Sequence, residues 1–327
     1  MMTSTSRDRR GLTLIEILVV ITVIGLLVAL LLPAVQSARE TARRTICGDN
    51  LRQIGLAIQS HENERGVLPA LYNGNFLPQP RTPFDEFHFF SWRTAILPQI
   101  EQTTLFAQIN MNVPPTVAAN QTAINVRLAV FVCPSSSNPH QVVPDIGAWN
   151  NGAIQVATVG TAARSDYEAV GGVQVKPQTR PSFYLDIIEF GAWGEPTYAP
   201  STNTSVSYRK ARLADITDGL SNTILIGELA GRPDLYSRGQ PVRPYSAGGG
   251  MENHQSAWAI STHFLWTVSG LGQPVNQANS KGIFSFHPGG ANVALADGSV
   301  RFLKETTAPA ILKGLLTRAG AEVVRTD

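Results

Sequence analysis

The stretch RRGLTLIEILVVITVIGLLVALLLPAVQSARE, residues 9–40, decides the architecture. From Ile17 to Leu32 only Thr22 and Gly25 interrupt the aliphatics, and Glu16 is the sole charge in the apolar run. With the flanking apolar positions the run reaches about 24 residues, against the roughly 20 that a helix needs to cross the hydrocarbon core. A helix closes its backbone hydrogen bonds internally, so it is the form such a run takes in lipid. The preceding flank is basic, with Arg7, Arg9 and Arg10 against Asp8. The positive-inside rule keeps that end cytoplasmic. A secretory signal would have a shorter apolar core of about 7–15 residues and a small-residue cleavage site. A plain anchor fits the length but leaves Glu16 unexplained, because an ionisable group in a membrane segment is costly and marks function. A cut after Gly11 explains it. Leu12 then becomes the N-terminus and Glu16 the fifth residue, where its carboxylate can pair with the free amine of a staggered neighbouring copy. A buried charge needs such a partner.

The residues RRGLTLIE resemble the type IV prepilin cleavage and methylation motif: a basic leader, Gly, the cut, an apolar residue, and Glu at mature position five. Family members most often carry Phe at the first mature position, where this chain has Leu12. Pro33 falls where type IV pilins often carry a helix-kinking proline. The resemblance implies cleavage after Gly11 by a prepilin peptidase/N-methyltransferase and methylation of Leu12.

Past the membrane run the helix is expected to continue, amphipathic, to Arg65. Val35, Ala38, Ala42, Ile46, Leu51, Ile54 and Ile58 would make one apolar face. Gly48-Asp49-Asn50 is a point where it could kink or re-cap, and Gly66 and Pro69 end it. The leader accounts for the whole formal charge of +2, so the remainder is neutral, and no polybasic patch points to nucleic acid. Only 15% of residues are charged, with 28 Gly and 21 Pro, which predicts a turn-rich exported domain rather than a bundle. Of the two cysteines, Cys47 lies on the long helix and Cys133 follows LAVFVC. An oxidising compartment permits a bridge that ties the start of the globular part to its stalk. Two unpaired buried thiols are the alternative, since spacing alone does not set the Cα separation.

The remainder reads as mixed and mainly β. Residues 91–109 look helical, broken by Pro98. LAVFVC, residues 165–172 and residues 222–229 read as strands, and residues 308–320 as a short helix stopped by Gly320. Residues 134–160, 176–210 and 248–255 read as loops. ANVALADGSVRFL carries an Asp297-Gly298 turn between two alternating runs, a strong hairpin signal. A two-residue turn would pair Leu295 with Val300 and Val293 with Phe302, and place Ala294 and Arg301 on the other face.

HPGGANVALADG sets nine residues between His287 and Asp297-Gly298. This is similar to the H-X9-DG signature of a large prepilin-like family of planctomycete-type bacteria, the domain of unknown function DUF1559. ICGDNLRQIGLAIQSHEN, SWRTAILPQIEQ, VCPS, DITDGLSNTILIGE and TRAGAEVV agree in order along the chain. In the hairpin Asp297 serves its turn, and His287 caps a strand end or donates to a nearby carboxylate. The alternative is a metal or acid–base site joined by His254, His263, Asp215, Asp218 or Glu228. No zinc-type spacing, nucleophile elbow or P-loop is present, and the expectation is a protein that is not an enzyme. Asp215, Asp218, Ser221 and Asn222 crowd oxygen ligands into eight residues without EF-hand order. They could hold calcium, as some secretion pseudopilins do near the C-terminus; no other cofactor is expected. Trp149, Tyr184, Trp193, Tyr198, Tyr236, Trp258 and Trp266 either anchor loops on a small β core or line a sugar or peptide surface.

The sequence therefore predicts an α+β chain: a leader at 1–11, a pilin-like helix at 12–65 that is transmembrane over about 12–35, and a mainly antiparallel, loop-rich globular domain at 66–327. The implied role is a pseudopilin-like subunit of a type II secretion or pilus-like apparatus. It would be single-pass in the cytoplasmic membrane, with its N-terminus inside and its head periplasmic, or in a filament. Its partners would be the processing peptidase, other pilin-like subunits, the inner-membrane assembly platform and membrane lipid. The alternative is a membrane-tethered envelope module that binds a glycan or protein.

Overall fold

The computed structural model describes residues 14–73, 90–113, 115, 117–136, 142–143, 148–150, 153–155, 161–174, 188–193, 211–243, 257–260, 266–269, 275–279 and 282–320. Contacts divide the chain into two compact units, Met1–Arg43 and Arg44–Asp327. One helix, α1 (Leu14–Arg65), supplies all the described residues of the first unit and the opening of the second. In the first unit no described residue is buried, and the aliphatics from Leu14 to Val35 are all exposed. Thr22 meets its polar need locally, its hydroxyl donating to the carbonyls of Leu18 and Val19. The helix continues through Pro33.

In the second unit α1 buries Cys47, Asn50, Leu51, Ile54, Gly55, Ala57 and Ile58. Spacings of three and four place these on one face. The apolar face expected to start at Val35 thus starts at Cys47, and Ile46 stays 50% exposed. Gly48-Asp49-Asn50 does not break the helix. Gly48 comes close to the Val300 side chain, and the Asn50 amide donates to the carbonyls of Ala129 and Val132 and to the Tyr167 hydroxyl. Tertiary contacts there hold a segment that intrinsic propensity disfavours. Gly66 ends the helix in a left-handed conformation, its N–H bonded to the Glu62 carbonyl.

Four short α-helices follow among the described residues: α2 (Trp92–Ala95), α3 (Thr103–Gln108), α4 (Ala118–Ile124) and, near the C-terminus, α5 (Pro309–Leu316). The central sheet has six strands: β1 (Tyr167–Gln174), β2 (Ile188–Phe190), β3 (Ile224–Glu228), β4 (Trp266–Ser269), β5 (Gly290–Leu295) and β6 (Val300–Lys304). Their order is β4-β1-β3-β5-β6, with β2 also on β1. Every pairing is antiparallel except β4 with β1. Both faces are covered. Ala294, Ala296, Ile226 and Ala169 share a core with Cys47, Leu51, Ile54 and Ile58 of α1. Val293, Leu295, Val170 and Ile224 share a second core with Leu312, Leu315 and Leu316 of α5.

Several local expectations are corrected. The hairpin pairs Ala294 with Val300, Val293 with Arg301 and Asn292 with Phe302, one residue away from the expected register. Its loop has three residues rather than two, Leu295 N–H bonding to the Ser299 carbonyl around a left-handed Gly298. A one-residue slip normally exposes an apolar face. Here β5 is buried along its whole length, so either register buries apolar side chains and the turn decides. The LAVFVC run forms a 3-10 turn, Ala129–Phe131, not a strand. Its carbonyls are taken by Asn50 and by the Asp166 N–H instead of by a neighbouring strand. Helix α5 ends at Leu316, before Gly320. The presumed loops contain short paired strands, Val142–Val143 with Ala162–Ala163 and Ala148–Asn150 with Ala153–Gln155, as well as β2. Residues 248–255 lie outside the described residues.

Candidate functional site

Two regions carry the residues singled out by the sequence. The first is the start of α1. Gly11 and Leu12 lie outside the described residues. Glu16 stands in the first turn of the helix, where the helix dipole favours an acid, and is exposed along with its aliphatic neighbours. One helix in the described residues is long and apolar enough to cross a membrane, and it is this one.

The second region is a buried knot where α1 meets the sheet. Cys47 and Cys133 form a disulfide with a Cα separation of 5.3 Å, closing 86 residues of sequence. This is the bridge the sequence left open. His287 Nε2 lies 3.5 Å from Cys133 Sγ and 3.4 Å from Glu228 Oε1. All four side chains are buried, and one ligating atom from each lies within 4.8 Å of the others. Glu228 Oε2 accepts the Asn292 N–H at 2.6 Å, which fixes the carboxylate against β5.

A shell of buried charge surrounds the knot. Asp166 accepts the Cys133 and Gly231 N–H groups and sits 3.5 Å from Arg164. Burial pushes its carboxyl above the usual carboxylate range, while Arg164 and these donors pull it back. The Tyr167 phenol, bonded to Asn50, is raised well above its ordinary value by burial and by the charge of Glu228. Arg93 pairs with Glu168 at 2.8 Å, and the Trp92 indole donates to the same carboxylate.

The His287…Asp297-Gly298 motif is split between the two ends of β5. His287 enters the knot. Asp297 stays in the turn, accepting the Ser299 N–H and hydroxyl. That turn packs on α1: a Cβ on Gly55 would lie 3.5 Å from Gly298 Cα, and the Gln59 amide donates to the Ala296 carbonyl. The motif therefore grips α1 at two points and does not form one His–Asp site. Of the expected additions Glu228 joins His287, whereas His254 and His263 lie outside the described residues. Asp215 accepts from Arg212, and Asp218 accepts the Gly320 N–H at 2.7 Å. Asn222 donates to the Asp218 carbonyl and the Ser221 carbonyl accepts from Arg301. Trp193 and Trp258 are buried, their indoles donating to the carbonyls of Leu225 and Val126, so these two anchor the core. Tyr184 and Tyr198 lie outside the described residues.

Sequence reading missed Asn50, Arg164, Asp166 and Tyr167 as partners of the knot. The run ARSDYEA reads only as the start of a strand, and Arg164, Asp166 and Glu168 are 2%, 0% and 3% exposed. No spacing marks them.

The family model described as "Protein of unknown function (DUF1559)" matches residues 36–310. A second model, the prokaryotic N-terminal methylation motif, matches residues 6–32. Among curated proteins the chain is similar to the type II secretion system core protein G of Pseudomonas aeruginosa, 32% identical over 68 residues. That match covers 21% of this chain and 48% of the relative, so the chain spans about half the length of the relative it matches. No solved structure matches the chain.

Proposed function

This chain belongs to the DUF1559 family, and we propose that it is a pilin-like structural subunit of a type II secretion or pilus-like apparatus, with no catalytic role. The observation that carries the reading is one helix bearing a methylation motif, an acid in its first turn and an apolar surface of which no described residue in its unit is buried. The subunit is made as a prepilin and inserted with its N-terminus cytoplasmic and its head periplasmic. A prepilin peptidase cuts between Gly11 and Leu12 and methylates Leu12. Glu16 then neutralises the new amine of a neighbouring subunit. Apolar surroundings strengthen that attraction, and each charge alone would be costly in lipid. The assembly platform in the inner membrane and sister subunits are the partners. The likeness to core protein G supports the secretion branch of this reading.

N-terminal mass spectrometry of the native protein tests the processing step. A mature chain beginning at methylated Leu12 is expected, and one still beginning at Met1 overturns the reading. In Glu16→Ala, insertion and cleavage persist while crosslinking between neighbouring subunits is lost. Crosslinking at the wild-type level in that variant would remove the pairing role.

A further inference from the structure

A structural disulfide asks only for an apolar wall. The wall here is an imidazole and a carboxylate, both withdrawn from water, where they carry a desolvation cost without adding to the covalent link. Their positions have a different logic. In tetrahedral zinc coordination, with Zn–S of about 2.3 Å and Zn–N and Zn–O of about 2.0–2.1 Å, the ligand–ligand edges come to about 3.5 Å for N to S and about 3.3 Å for N to O. His287 Nε2 lies 3.5 Å from Cys133 Sγ and 3.4 Å from Glu228 Oε1. Two edges of the tetrahedron already stand at coordination distance. The four ligating atoms all lie within 4.8 Å of one another, and reduction of the disulfide frees the sulfur–sulfur edge to widen to the roughly 3.7 Å that a tetrahedron asks.

We propose that in its dithiol form the chain binds one Zn²⁺ through Cys47 Sγ, Cys133 Sγ, His287 Nε2 and a Glu228 carboxylate oxygen, the metal replacing the disulfide as the tie between α1 and the sheet. A dithiol reductant opens the bridge by exchange: the Cys47–Cys133 bond breaks, both sulfurs are reduced to thiols, and the reductant leaves as its own disulfide. Zinc then displaces the two thiol protons to solvent as the two Zn–S bonds form. No electron moves in that second step. Two thiolates, one carboxylate and a neutral imidazole suit a borderline-soft divalent ion and leave the centre at a net charge of −1. Support from the next layer of residues is in place. The Asn292 backbone N–H donates to Glu228 Oε2, while Oε1 faces His287 Nε2 and the Asn292 side-chain amide; the His287 backbone N–H donates to the Ser285 hydroxyl. Hydrogen bonds to a ligating carboxylate accompany metal sites generally. A cavity of about 690 Å³ has His287 in its wall beside Ser285, Pro288 and Glu305. The four ligands come from α1, the segment before β1, the end of β3 and the loop into β5. The ion would thus join elements far apart in sequence, as the disulfide does.

The test uses the full chain in detergent, reduced with a phosphine without oxygen, freed of reductant and titrated with Co²⁺ and then Zn²⁺. Helix content is followed by circular dichroism throughout. One equivalent of Co²⁺ is expected, with the intense visible bands of a tetrahedral centre and a thiolate-to-cobalt charge-transfer band, both abolished by one equivalent of Zn²⁺. The oxidised chain takes up none. His287→Gln and Glu228→Gln, in reduced form, should each weaken uptake by more than about tenfold, since even outer-shell changes cost 10–100-fold. If reduction loosens the fold, metal restores the helix signal in the wild type. The proposal is overturned if the reduced wild type shows no stoichiometric uptake, folded or not. It is equally overturned if His287→Gln and Glu228→Gln bind cobalt as tightly, and with the same spectrum, as the wild type.

Discussion

From Leu14 to Val35, α1 shows aliphatic side chains all around and buries none of them; from Arg44 to Arg65 it is mostly polar and buries a narrow stripe. The two halves are one unbroken helix. Hydrophobicity and burial therefore run in opposite directions along it. The more apolar half is buried against none of the described residues of its own unit, and exposed apolar surface of that extent marks a site of interaction. The less apolar half is placed by particular contacts: the Cys47 bridge, the Asn50 amide, Gly55 against Gly298, and Gln59 on the Ala296 carbonyl. Anchoring the chain and holding the fold are thus assigned to separate halves of one element.

That division can be broken from either side. The largest effect is expected from Ile24→Arg with Leu27→Arg, which costs about 5–7 kcal/mol of insertion at the helix centre on translocon scales. Fractionation should move the chain out of the membrane pellet, and the melting of the globular unit should hardly change. Removing the bridge, by Cys47→Ser with Cys133→Ser, should lower the stability of the second unit by up to roughly 4–5 kcal/mol, read by denaturant titration, because the closed loop is long. Membrane partition should be unaffected. Ile54→Ala leaves a cavity between α1 and the sheet and should cost about 2–5 kcal/mol in the same titration.

The smallest effect sharpens the boundary on the polar side. His61 is half-buried, and its pKa lies below the ordinary histidine value because of burial first and the Arg65 charge second, opposed by a backbone bond at Ala95 and by Glu64. The unfolded chain therefore takes up this proton more readily than the folded one. The stability that neutral His61 contributes is complete above the unfolded value and is lost as pH falls through the lowered folded value. Denaturation midpoints near pH 8 and near pH 5 should differ slightly more in the wild type than in His61→Gln, a small difference because the site is partly solvated.

Much of this was legible before the fold was known. The apolar run, the acid within it and the stop at Gly66 follow from length, periodicity and cap chemistry. The Asp297-Gly298 turn was legible as a turn, but its register was not. Alternation reports a strand with one wet face, and β5 has none. LAVFVC misled for a related reason: strand-like residues form a strand only if a neighbour takes up their backbone groups, and Asn50 and Asp166 take them first. Arg164, Asp166 and Glu168 resemble surface residues because composition cannot tell a solvated charge from one paired in a core.

The sequence by itself determined a helix suited to lipid, the acid near its start and the family to which the chain belongs, since each depends on residues adjacent along the chain or on order along it. Only the tertiary structure decided that Cys47 meets Cys133, that His287 turns to Glu228 rather than to Asp297, and that the sheet is covered on both faces. Those contacts join residues distant in the chain. Their geometry comes from how α1, β3 and β5 pack, which spacing does not encode.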